Sequence, residues 1–241
     1  MPTHVNALVV MAKAPIAGTV KTRLVPPLTP AQAAELYRAL LQDELEHLKA
    51  LAAADLYVAF TPSHGRVLIT DILPSEFRCF PQQGEDLGAR MSRIFDHLLG
   101  DAYKNVVVIG SDLPALPLGY LERAFESLSA RGRQVVLGPS RDGGYYLVGM
   151  NRHTPELFEQ MTWSHDQVLA QTLTKLAKLG IDPELLPGWF DVDTVDDLRQ
   201  LQSRLDAAAK EKLKSTLTLL RCSDFSTRIP QLPMRYIQSL R

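Results

Sequence analysis

Three cations fall within eleven residues near the start of the chain, in Lys13-Ala14-Pro15-Ile16-Ala17-Gly18-Thr19-Val20-Lys21-Thr22-Arg23. Arg can fork two phosphate oxygens and Lys adds a point charge, so a Gly- and Pro-shaped loop bearing Lys13, Lys21 and Arg23 suits a di- or triphosphate. Ala14, Gly18 and Thr22 would then border the same anion. A solvated basic loop is the plainer alternative. The loop follows an apolar run, and open α/β sheets bind ligands at the carboxyl ends of their strands, which favours phosphate. Neither the GxxxxGK[S/T] phosphate loop nor any G-x-G dinucleotide fingerprint is present.

A second candidate is Val106-Val107-Val108-Ile109-Gly110-Ser111-Asp112-Leu113-Pro114. The β-branched run reads as a strand buried on both faces, and Pro114 and Pro117 stop it from continuing. Asp112, with Ser111 beside it, is either a ligand group at the strand's end or a turn residue serving local amides. Near a polyphosphate, such a carboxylate would hold Mg²⁺ (or Mn²⁺), which binds through one or two carboxylates plus phosphate oxygens. Further along, Phe190-Asp191-Val192-Asp193-Thr194 places two alternating carboxylates before a helix. If Thr194 is the cap, Asp193 is left to project outward, and Asp191 points the same way in an extended segment. Both could instead serve only the positive helix terminus. Together with Asp112 they read better as further metal ligands.

Two weaker segments complete the set. In Gly138-Pro139-Ser140-Arg141-Asp142-Gly143-Gly144-Tyr145-Tyr146, the paired glycines permit positive φ and close backbone approach. Asp142 could contact a substrate hydroxyl or metal, and Tyr145 could border an acceptor; a hairpin turn explains the segment equally. Gly84, ahead of Asp86-Leu87-Gly88, could admit a base or sugar or simply pack a helix start. Other chemistries are disfavoured. The six histidines show no metal-ligand spacing, Cys79 and Cys222 form no CxxC pair, and no G-x-S-x-G elbow is present.

The elements that must position these residues alternate. Apolar runs predict strands at 5–12, 56–60, 78–80, 106–109, 134–137 and 145–150, and apolar periodicity predicts helices at about 30–52, 86–99 and 117–130. Thr29-Pro30-Ala31-Gln32, Ser164-His165-Asp166-Gln167 and Thr194-Val195-Asp196-Asp197 each read as a helix cap. Strands alternating with helices predict one α/β domain, a three-layer α/β/α sandwich with a mostly parallel sheet over residues 1–206, to which 138–150 adds an antiparallel strand.

The chain has 241 residues, 26 Lys and Arg against 27 Asp and Glu, and a net charge of -1, so no global field draws in nucleic acid. The charge is uneven: from Ala208 onward there are seven basic residues and two acidic ones, against 19 and 25 before it. That basic tail, residues 207–241, reads as partly helical or weakly ordered. It could also lie against an acidic surface of its own subunit or of a partner in a homodimer. No apolar segment reaches the ~20 residues of a bilayer span. The start lacks a signal-peptide pattern, and the cysteine usage fits a reduced, cytoplasmic protein.

Taken together, Ala12-Lys13-Ala14-Pro15 with Gly18 and Lys21-Thr22-Arg23-Leu24, then Gly110-Ser111-Asp112-Leu113-Pro114, Gly138-Pro139 with Asp142-Gly143-Gly144-Tyr145-Tyr146-Leu147, and Asp191-Val192-Asp193-Thr194 with Asp197-Leu198 resemble the bacterial DUF2064 family. That family is also called radical-SAM/selenodomain-associated transferase 1 and is labelled glycosyltransferase. The resemblance covers roughly residues 5 to 205. It implies the GT-A-like fold of the nucleotide-diphospho-sugar transferase superfamily, whose better understood relatives include guanylyltransferases of phospholactate and molybdopterin. By motif position it implies phosphate binding by Lys13, Lys21 and Arg23, Mg²⁺ on Asp112, and a second metal carboxylate at Asp193 with Asp191 as its partner. Asp112, Lys21 and Arg23 would then be the catalytic set. The chain departs from many sugar nucleotidyltransferases in lacking the G-x-G-T-R form of the first loop. The expected activity is Mg²⁺-dependent transfer from a nucleotide-sugar or a nucleoside triphosphate to a small-molecule acceptor. A non-catalytic nucleotide- or metabolite-binding domain is the remaining alternative.

Overall fold

The two most apolar runs of the sequence, Asn6–Lys13 (β1) and Asn105–Ile109 (β4), lie side by side and parallel at the middle of a sheet. Successive residues feed opposite layers, as strand geometry requires. Leu8, Val10, Val107 and Ile109 enter one core cluster, while Ala7, Val9, Val106 and Val108 enter another. A computed structural model describes residues 2–100, 103–130, 132–204 and 207–222, together with 225, 228 and 229.

The other strands are Asp55–Thr61 (β2), Phe77–Pro81 (β3), Val135–Pro139 (β5), Tyr145–Met150 (β6) and Glu184–Leu185 (β7). The sheet order is β3-β2-β1-β4-β6-β5-β7. Strand β6 is antiparallel to both neighbours and every other pairing is parallel. Helices Pro30–Leu48 (α1), Arg66–Thr70 (α2) and Leu118–Ser129 (α4) pack in the first cluster; Leu87–Gly100 (α3) and Val168–Lys178 (α5) pack in the second. This is the expected three-layer α/β/α sandwich with a mostly parallel sheet.

A third cluster lies beyond α1. It joins Leu24, Leu28, Leu36 and Leu40 to Leu198 and Leu201 of Val195–Arg204 (α6), and to Leu213, Leu220, Phe225 and Ile229. The described part of the basic tail contributes the helices Ala207–Lys212 (α7) and Lys214–Arg221 (α8). The side chains it adds to this cluster are apolar. The acidic group it meets is Asp43 of α1, whose carboxylate accepts from the Ser215 and Thr216 N–H groups at 2.9 and 2.8 Å and caps α8. Asp224, Arg235 and Arg241, which belong to the basic tail as counted, lie outside the described residues.

Two of the three anticipated caps form. Thr29 and Gln32 make a reciprocal capping box at α1. At α6 the Thr194 hydroxyl accepts from the Asp197 N–H, and Asp197 Oδ2 accepts from the Thr194 N–H at 2.7 Å. The third does not form: α5 starts at Val168 after an N-cap Gln167 that lends no side-chain bond. Ser164 instead sits at φ +66, and His165 Nδ1 accepts from the Gln167 N–H. Tertiary contacts overrode the local signal here: Asp166 is held against Gly143, and Trp163 against Gly88.

Candidate active site

Because β1 and β4 are adjacent and parallel, the loops that leave their carboxyl ends emerge together. The 13–23 loop and the Gly110–Pro114 turn therefore face one another, and the segment before α6 closes the third side. At the centre lies Lys21. Its Nζ donates to Asp112 Oδ2 at 2.5 Å and to Asp193 Oδ1 at 2.9 Å, and its side chain is 3% exposed. Its backbone is left-handed, φ 47 and ψ 37, uncommon for a non-glycine residue and suited to turning the side chain inward. Burial by itself would favour neutral lysine, but the two carboxylates outweigh it and hold the ammonium above the usual lysine range.

This changes the role expected of Lys21. Its charge is spent inside the protein, as a buried ammonium requires. Arg23, by contrast, is 70% exposed, with a guanidinium nitrogen 3.7 Å from Asp193 Oδ2. Lys13 is exposed at the end of β1, and Thr22 is exposed beside Arg23. Gly18 occupies the exposed loop between them at φ +80. Ala14 is turned into the protein: its N–H is donated to the Thr61 carbonyl at 2.7 Å and its side chain is fully buried.

Ser111 is likewise committed to the protein. Its hydroxyl shares a 2.8 Å hydrogen bond with the Tyr37 hydroxyl, which also accepts from the Lys13 N–H at 3.0 Å. Tyr37 thus ties the basic loop to the Asp112 turn from below. His47, three helical turns further along α1, fixes the same turn through the Leu116 carbonyl at 2.8 Å. Neither residue stands out in the sequence, where Tyr37 reads as one of α1's apolar face.

Asp193 is freed from capping by the Thr194–Asp197 pair, and Asp197 Oδ2 also accepts from the Asp193 N–H at 3.2 Å. Asp191 lies with Asp112 and Asp142 on the wall of a cavity of about 300 Å³, and with Arg23, Arg141 and Asp193 on the wall of a second of about 310 Å³. Burial raises its pKa to about 6, with the Asp112 and Asp193 charges adding to the effect. Asp112 and Asp193 thus share one buried ammonium, with the Asp191 carboxyl beside them. The Asp142 carboxylate accepts from the Gly144 N–H at 3.0 Å, an Asx turn that aims it at both cavities. Gly143, at φ +84, makes its close approach to the protein's own chain, since a Cβ there would lie 2.0 Å from the Asp166 carbonyl oxygen. Gly144 and Tyr145 line the first cavity. Gly84, at φ +136, is wedged against Ala89 and Arg90 and accepts from Arg90 Nε, which is the helix-start role and not an opening for a ligand.

The site thus sits on a three-layer α/β/α domain whose mostly parallel sheet has one reversed strand, with a buried Lys between two Asp and an exposed Arg beside them. The chain belongs to the family described as "Uncharacterized protein conserved in bacteria (DUF2064)", whose pattern matches residues 44–165. A protein from Desulfovibrio desulfuricans G20, described as a "putative nucleotide-diphospho-sugar transferase", is 31% identical, with a TM-score of 0.85 over 95% of this chain and 98% of that one. A cytidylyltransferase from Leptospira borgpetersenii serovar Hardjo-bovis (strain JB197) shares the fold at 13% identity, with a TM-score of 0.56 over 95% and 98% of the two chains. So does a CMP:2-keto-3-deoxy-manno-octonic acid synthetase complexed with CTP, at 12% identity and a TM-score of 0.55 over 82% and 97%. No curated protein matches the chain. Among the described residues no helix is long and apolar enough to cross a membrane.

Proposed function

We propose that this protein is a transferase acting on a nucleotide donor, with Mg²⁺ or Mn²⁺ held at Asp112 and at Asp193 or Asp191. The observation that carries the reading is the convergence of Lys21, Asp112 and Asp193 at the carboxyl ends of β1 and β4, with Asp191 beside them. The donor set suits a hard divalent cation: carboxylates outnumber the cation they share, and like-charge crowding adds to what burial does to Asp191. Among the described residues no three acidic, His or Cys groups form a ready-made metal cage. An ion held there would complete its shell with phosphate oxygens and water. Bound there, the ion would supply neutralisation of phosphate charge.

The chain's own groups do the rest. Lys21 holds Asp112 and Asp193 together, while the exposed Arg23 and Lys13 would meet the outer phosphates. In nucleotidyl transfer, an acceptor oxygen forms a bond to the α-phosphorus and the α–β P–O bond breaks. Pyrophosphate leaves with that electron pair, and the acceptor's proton passes to a carboxylate. The exposed cations Arg23 and Lys13 favour this reading, since they suit a departing pyrophosphate. Glycosyl transfer, with a nucleoside diphosphate leaving from a sugar, is the second reading; the class of the 31%-identical Desulfovibrio protein favours it.

The test is thermal unfolding of the full chain with Mg²⁺ and each nucleoside triphosphate or nucleotide-sugar in turn, followed by product analysis. Protection that needs both nucleotide and metal is the expected result. Released pyrophosphate marks the first reading and free nucleoside diphosphate the second. If no nucleotide raises the unfolding midpoint with or without metal, the reading is wrong.

A further inference from the structure

The cavity of about 300 Å³ beside Asp112 has a lopsided chemistry. One end carries the Asp112, Asp142 and Asp191 carboxylates. The rest is walled by Met11, Leu87, Met91, Tyr145, Trp163 and Val168, and among the described residues no Lys or Arg lines it. Its single histidine does not stand in for one. His165 Nδ1 accepts from the Gln167 N–H at 3.0 Å, so the ring proton is on Nε2, which lies 3.0 Å from the Thr162 hydroxyl.

The aromatic wall is held firmly. The Trp163 indole lies against Gly88, where a Cβ would come within 2.7 Å of the ring, and its centroid is 6.5 Å from that of Phe158. Ser164, next along the same wall, keeps its left-handed backbone at φ +66. Preformed, mostly apolar pockets of this size bind the apolar body of a ligand and orient it with a few polar groups. A phosphate would need a cationic fork, and none is present among the described lining residues.

We propose that this cavity takes the acceptor, and that the part of the acceptor entering it is a flat, apolar body without a phosphate, its nucleophilic oxygen turned toward Asp112 and Asp191. This rests on the transferase reading above and names the substrate class it leaves open. The cationic loop and the apolar cavity then divide the labour on either side of Asp112, the first for donor phosphates and the second for an uncharged acceptor.

The probes are a matched pair, 4-methylumbelliferyl β-D-glucoside and 4-methylumbelliferyl phosphate, titrated calorimetrically into the full chain with chelator present so that only the protein's own groups are read. The glucoside should bind at least ~10-fold more tightly than the phosphate. Trp163→Ala should weaken the glucoside by ~10-fold. Leu87→Arg, at a wall position that is 42% exposed, should strengthen phosphate binding and so narrow the preference for the glucoside. Equal or tighter binding of the phosphate by the wild type overturns the proposal, as does failure of the glucoside to bind. Unchanged phosphate binding in Leu87→Arg overturns it too, even if Trp163→Ala does not fold. Nucleotide protection on the same preparation separates the two ideas: protection with the wrong probe preference sinks the acceptor class alone, and absence of protection sinks the transferase reading together with the acceptor role.

Discussion

The two ends of the parallel strands each carry a buried polar cluster, and they are built on opposite principles. At the amino ends, Asp55 accepts from the Thr3 N–H at 2.8 Å and from the Tyr103 hydroxyl at 2.6 Å. Tyr103 in turn meets the Tyr57 hydroxyl at 2.7 Å, and Arg78 donates to Tyr57 at 3.2 Å. Although burial works against the Asp55 anion, the Tyr103 and Thr3 hydrogen bonds prevail and hold its pKa below the usual value. At the carboxyl ends, the balance runs the other way: one buried ammonium bridges Asp112 and Asp193, and burial, with those two charges beside it, pushes Asp191 up to about 6. A satisfied cluster stabilises a fold. A cluster left with surplus charge of one sign is suited to binding a ligand of the other.

Breaking one side of this comparison should leave the other intact. The largest effect is expected from Asp112→Asn, which should reduce transfer by on the order of 100-fold or more and abolish metal-dependent nucleotide protection, with circular dichroism unchanged. Retained protection would remove Asp112 from the metal site. Tyr103→Phe should do the reverse. Losing a hydroxyl that serves a buried carboxylate costs about 1–3 kcal/mol, read as a lower denaturant midpoint, while the protection conferred by nucleotide stays as in the wild type.

The smallest effect sharpens the contrast through pH. Asp191 has a folded pKa of about 6 against an ordinary 3.8, so the folded state binds the extra proton between those values. Its contribution to stability is complete below about pH 4 and is lost as pH rises through about 6. In chelator, Asp191→Asn should therefore match the wild type near pH 4 and unfold a few degrees higher at pH 7.5, where about 1 kcal/mol moves the midpoint by roughly 2–4 °C. A wild type that gains stability relative to this variant between pH 5 and 7 would contradict the surplus-charge account.

Much of the frame was legible because it is local. The apolar runs of β1 and β4, the Thr29 and Thr194 caps and the antiparallel β6 all follow from residue type and period within a few positions. The Ser164–Gln167 cap failed because Trp163 and Asp166 have tertiary partners, Gly88 and Gly143, that lie far off in sequence. Within the site, the candidate segments could be picked out but not their division of labour. Lys13, Lys21 and Arg23 look alike in a sequence, and only the left-handed turn at Lys21 separates the buried ammonium from the exposed cations. Ala14 and Ser111 read as ligand-facing until their polar groups are seen bonded to Thr61 and Tyr37.

The sequence by itself determined which strands lie at the centre and that their carboxyl ends carry carboxylates and cations, because burial and strand period act residue by residue. The tertiary structure alone decided which charges pair. Lys21, Asp112 and Asp193 are separated by 91 and 172 positions along the chain and meet within 3 Å in space. A Coulomb interaction between buried groups is set by that distance and by the exclusion of water, neither of which a one-dimensional pattern contains.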